Sequence, residues 1–579
     1  MTAAQLLPLP VVLPLVGAVL APLVGRLAAR LPLVVGLVAL SGSSAVLIVQ
    51  ATHVYAGDGH ALTHFFSNEQ PVHGQALGIA FAADPFGLTF ALLTAAVGVL
   101  LLVSVLSELG HLGPRELGGL AGLVQLLLAA LIGAALTADL INLFVWFEVA
   151  ALASYGLTGF FLERPIALEA AFKNLVLTSM AGFVVFIGSA MLYTTSGALN
   201  LGQLHHAVGA EASRAQLVAI ALLVGGFATK AGLVPFHAGL PDTHTPVPGA
   251  VSALFSALMV DLGVIALARI GLLVFPGVPS LLGLLTGLGV ASALIGSALA
   301  LVQDDIKRLL AWDTVAQTGV LVTGFASRSA DGVAGAVYHL VNHGLFKALL
   351  FLCAGAIVHS TGLTKLDEMG GLARRRPLLT AAFTVGVLSI AGIPPFNGYA
   401  SLGLIHHGLE SPPAVLVCAL TAQVLTVAGL GRAAYLGFYR RRSEEYEHFE
   451  PIRLGMRISL LCLAAGCVAF GVLADPFVRR IAGPAAAGLL DPARYAAAVL
   501  GGPAALPGLH VHFEYLDANK LLLVAGEVVL GLLVLWLSVR GRVVESLVGW
   551  LRRLHTGSVN DYATFATVGL LVVTSVMLI

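Results

Sequence analysis

Residues 389–405 read SIAGIPPFNGYASLGLI and lie inside an apolar stretch that extends from 378 to 407. Gly392, Pro394, Pro395 and Gly398 interrupt that stretch. Proline lacks a backbone donor and clashes with the preceding turn, so a helix cannot run through unbroken. At membrane depth a break survives only where protein or a water-lined cavity satisfies the freed backbone groups. A second apolar stretch, 215–237, has the same character: Lys230 is followed by Gly232, Pro235 and His237. Two interrupted helices five spans apart predict one five-helix unit used twice. An odd number of helices per unit inverts the second copy, a frequent build of ion carriers. The expected divisions are 1–117 (helices 1–3 and an external loop), 118–275 (helices 4–8), 279–438 (helices 9–13) and 439–579 (helices 14–16 with a second external loop).

Outward from the breaks, apolar runs recur along the whole chain. About sixteen are long enough to read as spans, near 5–25, 31–52, 82–107, 118–137, 140–162, 169–193, 215–237, 248–275, 279–302, 310–326, 331–358, 378–407, 413–438, 456–474, 520–539 and 562–579. Over 579 residues the composition is 58% hydrophobic and 10% charged, with mean hydropathy +0.95. Soluble domains carry roughly a quarter charged residues, so this chain lacks the polar surface to face water all round. The expected class is an all-α polytopic membrane protein of the bacterial cell (inner) membrane. Met1–Arg30 has an apolar stretch but no basic leader, so it does not read as a signal peptide. The net charge of +0 offers no field for nucleic acid. Cys353, Cys418, Cys462 and Cys467 are scattered without metal spacing, and no glycine-rich phosphate loop sits at a strand–helix junction. No cofactor, metal, catalytic or redox site is expected in this chain. Any oxidoreductase activity would belong to partners.

Basic residues set the orientation. With the N-terminus outside, Arg26, Arg30, Arg115, Arg164, Lys307, Arg308, Lys365, Arg374–Arg376, Arg440–Arg442, Arg453, Arg457, Arg540, Arg542, Arg552 and Arg553 fall on inside connections. Outside connections hold Arg214, Arg328, Arg479, Arg480, Arg494 and Lys520. Both termini are therefore expected outside. The two long connections, His53–Gln75 and Asp475–Asn519, fall outside as well. His53, His60, His64 and His73 in the first read as solvated loop histidines rather than a metal site.

Ionisable groups at bilayer depth are costly, so those retained there point to function. Lysine is scarce: Lys173, Lys230, Lys307, Lys347, Lys365 and Lys520 make up the whole set. Lys230 and Lys347 nonetheless sit deep in apolar spans, and lysine can release its proton when desolvated whereas arginine cannot. Lys173, nearer a span end, is expected to reach the interface. Glu148 lies mid-span in NLFVWFEVAALASYGL (142–157) and is the natural partner of Lys230. The two are expected within bridging range, directly or through water. His339, His343 and Lys347 recur at i, i+4, i+8, one helix stripe. Histidine titrates near neutrality, so the stripe reads as proton stepping stones facing a hydrated polar axis. Asp261 and Glu527 are further acidic groups in apolar runs, Glu527 at a helix–helix contact.

At this point the sequence resembles a known superfamily. The stretches 142–157, FATKAGLVPFHAGLPDTHTPVPGAVSALFSALMVDLGVIALARI (227–270), DDIKRLLAWDTVAQTGVL (304–321), YHLVNHGLFKALLFLCAGAI (338–357), LDEMGGL (366–372) and SIAGIPPFNGYAS (389–401) follow the order of antiporter-like proton-pumping subunits. These are the large membrane subunits of respiratory complex I, of group 4 hydrogenases and of Mrp-type sodium/proton antiporters. The chain is most similar to the Mrp D-type and hydrogenase-4 B-type branch. The resemblance implies about fourteen core helices in two inverted five-helix repeats, with about two extra C-terminal helices here. It implies ion-translocating roles for Glu148 on the fifth helix, Lys230 on the broken seventh, and His339, His343 and Lys347 on the eleventh. It also implies membrane-subunit partners, contact with the lipid bilayer, and H⁺ as the carried ion, alone or with Na⁺ or K⁺.

Two positions depart from the family pattern. Asp261 stands on the eighth helix where lysine or histidine is usual, and it is expected to point inward, onto Lys230, His339 or His343. Leu402 stands on the twelfth where lysine or glutamate is usual, and leucine binds no proton. His406 and His407 are the candidate substitutes, and His237 and Lys307 are further accessory positions. The competing readings are a non-pumping scaffold subunit, which Leu402 and Asp261 favour, and a bicarbonate-uptake partner on the same fold.

Overall fold

The computed structural model describes residues 2–56, 61–66, 71–72, 74–161, 163, 165–209, 212–441, 450–502, 508–540 and 557–579. His60, His73, Arg164, Arg442, Arg542, Arg552 and Arg553 lie outside these residues. The helices are α1 (Leu9–Val24), α2 (Leu31–Ala56), α3 (Pro85–Glu108), α4 (Pro114–Leu136), α5 (Leu140–Thr158) and α6 (Pro165–Ser196). Next come α7 in two pieces (α7a, Arg214–Ala231; α7b, Gly239–His244), α9 (Pro279–Leu301), α10 (Ile306–Ala326) and α11 (Ala330–Thr361). The eighth helix, α8, is Gly249–Val274, and α13 is Pro413–Tyr439. The twelfth is also in two pieces (α12a, Pro377–Ile390; α12b, Asn397–Gly408), followed by α14 (Leu454–Val472), α15 (Ala518–Arg540) and α16 (Val559–Leu578).

Among the described residues, 13 helices are long and apolar enough to cross a membrane, with α1 and α12a as shorter apolar helices. Every expected span has a helix at its place. The tenth begins at Ile306 rather than near 310, because Asp305 caps it by accepting the Arg308 N–H at 2.9 Å. That earlier start draws Asp313 and Gln317 well inside α10. Burial orders the bundle: α8 is buried throughout and α11 nearly so, whereas α15 and α16 are largely exposed. The two central helices cross where Gly249 meets Gly355, with no space for a Cβ on either. Such contacts between small residues let membrane helices approach closely.

Both breaks fall where the prolines place them, and the two share a pattern. Ala231-Gly232 precedes Pro235-Phe236, and Ala391-Gly392 precedes Pro395-Phe396 at the same spacing. Gly232 and Gly392 adopt φ of 69° and 68°, the left-handed conformation that favours glycine. Other helices satisfy the freed backbone. The Val234 N–H donates to Ser292 Oγ of α9 at 2.8 Å. Gln423 of α13 donates to the Ile390 carbonyl at 2.8 Å, and Asn342 of α11 to the Asn397 carbonyl at 2.9 Å.

Two expectations need correction. The chain is not wholly helical: Leu62–Phe65 (β1) pairs antiparallel with Ala80–Ala83 (β2), Leu62 opposite Ala83 and Phe65 opposite Ala80. The alternation of LTHF gave too short a signal beside the long apolar runs. The connection 475–519 is also more than a plain loop. It holds the short helices Gly483–Leu490 and Pro492–Val499, whose Ala485, Leu489, Tyr495 and Val499 are buried. Tyr495 joins a buried knot around Arg269 of α8, which donates to Asp84 Oδ1 at 2.6 Å and to the carbonyls of Ala135 and Thr137 at 2.7 and 2.9 Å.

Candidate functional site

The first half of the candidate path starts on α5. Glu148 is half-buried, and its carboxylate rests against Gly182 of α6, where a Cβ would collide with it. Lys230 ends α7a, where the unpaired carbonyls of the last turn favour a cation. Its ammonium is buried 5.1 Å from the centroid of Phe147, the residue before Glu148. Among the described residues it has no hydrogen-bond partner and no carboxylate within 4.0 Å. Glu148 and Lys230 are therefore electrostatic neighbours rather than a direct ion pair. The missing contact has a cause: Gly182 seats the carboxylate on α6, while Lys230 extends toward a cavity of about 40 Å³. That cavity is lined by Asn174, Thr178, Thr243 and His244, and it is large enough to hold water.

His244 carries the line onward. It is buried at the end of α7b, its Nδ1 2.7 Å from the Leu240 carbonyl and its Nε2 without a hydrogen-bond partner among the described residues. Lys307 and Lys347 are both within electrostatic reach of it. Lys307 spends its ammonium on structure, donating to the carbonyls of Thr245 at 2.9 Å and Val247. His237, in the α7 break, lies with its ring centroid 5.2 Å from Trp312. Lys347 is paired: its Nζ lies 2.5 Å from Asp313 Oδ2 and 3.2 Å from the Leu310 carbonyl.

One turn back along α11, His343 Nδ1 lies 3.1 Å from Asp261 Oδ1 and 3.3 Å from Oδ2. Asp261 thus points inward and contacts His343, with no lysine nitrogen within ion-pair distance. It follows directly on a π-helical turn, Phe255–Met259, a distortion that often marks functional sites. His343 Nε2 has no hydrogen-bond partner among the described residues. One further turn back, His339 bridges two helices, with Nε2 3.0 Å from Gln317 Oε1 and Nδ1 3.0 Å from Ser401 Oγ. Asn342 also donates to Ser401 Oγ, at 2.9 Å. The stripe therefore faces polar groups at every step.

Beyond Ser401 the character changes. Leu402 packs with Ala293, Val320, Ile405 and Leu409 in an apolar cluster of its own. His406 turns away from that cluster, its Nδ1 3.9 Å from Glu527 Oε1. His407 lies nearer the helix end, 2.8 Å from Asp331 Oδ2. Lys173, expected at the interface, is buried and paired with Glu169 at 2.7 Å and Asp242 at 3.3 Å.

The structure thus places Glu148, Lys230, Lys347, His343, Asp261 and His339 on one buried polar line. It adds His244, Asp313, Gln317 and Ser401, which sequence reasoning did not single out. Asp313 carried a usable signal, a carboxylate inside an apolar run. Among the described residues no group of three or more His, Cys, Asp or Glu is placed to hold a metal ion, and all four cysteines are free.

The same framework occurs in known proteins. The family model described as NADH:quinone oxidoreductase/Mrp antiporter, transmembrane, matches residues 137–426. The D-type subunit of the Na(+)/H(+) antiporter of Alkalihalophilus pseudofirmus is 32% identical over 433 residues, which is 73% of this chain and 86% of that protein. The N-type subunit of the NADH-quinone oxidoreductase of Desulforudis audaxviator is 30% identical over 422 residues, 70% of this chain and 84% of that one. A chain in the solved Mrp complex from a Dietzia species superposes with TM-score 0.78 at 27% identity, covering 86% of this chain and 100% of its own.

Proposed function

Because the chain belongs to the NADH:quinone oxidoreductase/Mrp antiporter family of membrane subunits, we propose that it is the ion-translocating D-type subunit of a multi-subunit Mrp-type assembly, exchanging protons for sodium or potassium. It is a multi-pass membrane protein. The observation that carries the reading is the buried, unpaired ammonium of Lys230 at the break of α7. A lysine kept for structure would have a direct counter-ion, since an uncompensated buried charge costs several kcal/mol. A lysine that gains and loses a proton needs such a position, with a carboxylate near enough to bias it but not to lock it.

In this reading Glu148 and Lys230 take up the proton, and His244, Lys347, His343 and His339 relay it. Asp313 and Asp261 hold the charges of Lys347 and His343. The segments 118–275 and 279–438 act as two inverted units, each with its own break. The membrane is the bacterial inner membrane with both termini outside, as the basic residues favour. Partners are further membrane subunits, and any redox chemistry resides in them.

A second reading is a scaffold subunit without complete pumping, favoured by the apolar setting of Leu402. The test is cation-driven collapse of a proton gradient in everted vesicles from a host lacking its own antiporters, with the native assembly expressed whole. Collapse on adding sodium or potassium chloride supports the antiporter. No collapse with either salt, from a fully assembled complex, supports the scaffold.

A further inference from the structure

We propose that α15 completes the second half of the ion path: Glu527, with His406 of α12b, forms the outward exit station that Leu402 cannot provide. This rests on the ion-translocating reading above. The polar line stops at Ser401, because the next residue is Leu402 in its apolar cluster. His406 stands one turn beyond Leu402, within electrostatic reach of His339. Its side chain is 7% exposed and that of Glu527 is 5% exposed. The separation of 3.9 Å is too long for a hydrogen bond but suits exchange through one bridging water. Glu527 Oε1 has no hydrogen-bond partner among the described residues.

The setting of Glu527 sharpens the point. On α15 the side chains of Leu522, Val529, Leu530 and Leu533 are exposed, as on a helix that faces lipid. Glu527 is the one acidic residue of that helix, and it is turned inward. A carboxylate is expensive at such depth, and one retained there marks an ion pathway by default. Gly531, one turn on, fits so closely against α13 that a Cβ would come within 2.6 Å of Val427. That contact fixes the register that delivers Glu527 to His406.

Two further observations agree. One residue beyond His406, His407 Nδ1 lies 2.8 Å from Asp331 Oδ2, and His512 Nδ1 lies 3.5 Å from the same oxygen. His512 is 80% exposed, so this cluster reaches water. In the other half, aligning the two breaks puts Asp242 at the position of Leu402. Asp242 accepts a hydrogen bond at 2.8 Å from the hydroxyl of Tyr562 on α16. Each C-terminal helix therefore sends a polar side chain toward the outlet of one broken helix.

The proposal is tested in the whole assembly, reconstituted in proteoliposomes and driven by sodium or potassium chloride gradients, with internal pH as readout. Glu527→Gln is isosteric and is expected to lower transport by about tenfold or more with every subunit retained. Adding Leu402→Glu to that variant returns a carboxylate to α12b and is expected to restore transport, which a packing role for Glu527 would not allow. Wild-type transport in Glu527→Gln, alongside loss in Lys230→Met, would overturn the exit station and leave the ion-translocating reading standing. Loss in Glu527→Gln that neither Leu402→Glu nor Leu402→Lys repairs would overturn it too, as a structural effect. Wild-type transport in Lys230→Met would remove both.

Discussion

His343 Nδ1 lies 3.1 Å from the Asp261 carboxylate, and neither side chain is exposed. The contact links α8, the most buried helix, to the middle of the α11 stripe. It changes what the acidic substitution at 261 means. An anion beside Lys230 would have opposed proton release there, whereas an anion beside His343 makes that ring a resting place for a proton in transit. Asp261→Asn keeps the shape and an acceptor but removes the charge. Transport is expected to fall by about tenfold or more, equivalent to ~1.4 kcal/mol, while the subunits still copurify. Rates equal to wild type would assign Asp261 a packing role.

Asp313 holds Lys347 at 2.5 Å inside the bundle. Removing one member of a buried pair strands the other, at ~3–5 kcal/mol. Asp313→Ala is expected to lower the melting temperature of the solubilised assembly clearly, and Asp313→Ala/Lys347→Met to recover most of the loss. A double variant no more stable than the single would show that the two residues are not energetically coupled.

Gly182 gives the Glu148 carboxylate its seat on α6. Gly182→Ala must push that carboxylate aside, with an overpacking cost of ~1–3 kcal/mol. Transport is expected to drop several-fold, and a structure of the variant should show the Glu148 side chain rotated off α6. An unmoved carboxylate would mean that α6 yields instead.

The Arg269–Asp84 knot is expected to act on stability alone. It ties α8 to the start of α3 and to the end of α4, away from the polar line. Arg269→Leu leaves Asp84 buried and unpaired, which costs ~3–5 kcal/mol. Yield and melting temperature should fall, with transport per assembled complex unchanged. A selective loss of transport at normal stability would place Arg269 on the path.

Asp139, the cap of α5, lies just before the membrane-spanning helix. Burial pushes its carboxyl up to about 6, against the backbone N–H groups of Asn142 and Ile141, which pull it down. A carboxyl with a raised folded-state pKa binds more protons in the folded than in the unfolded state between the two values. Stability from this group is therefore lost as pH rises from about 4 to about 6, by roughly 3 kcal/mol at most. Asp139→Asn keeps the cap and should flatten that part of a pH–melting curve. An unchanged slope would contradict it.

Much of the site was legible in the chain because lipid leaves little freedom. The prolines of 235 and 394–395 placed both breaks, and the spacing of His339, His343 and Lys347 placed one buried stripe. Contacts between helices were not legible. Nothing in the sequence says that Asp313 and Lys347 meet, that Gln317 and Ser401 bracket His339, or that Glu527 crosses from a C-terminal helix to His406. Such pairings depend on how helices cross, and periodicity within one helix carries no record of its neighbours. Glu148 and Lys230 illustrate the limit. Their spans were placed, but the seat that Gly182 provides, and hence the gap between the charges, could be read only from the packed bundle.

The central claim is that the unpaired Lys230 ammonium carries the transported proton. The most direct measurement is cation-driven proton movement in proteoliposomes holding the purified whole assembly, comparing wild type with Lys230→Met at equal protein content. The account expects transport to be abolished in the variant while all subunits remain in stoichiometric amounts and melting is unchanged or raised, since an uncompensated buried charge has been removed. Transport at the wild-type rate from an intact Lys230→Met assembly would contradict it.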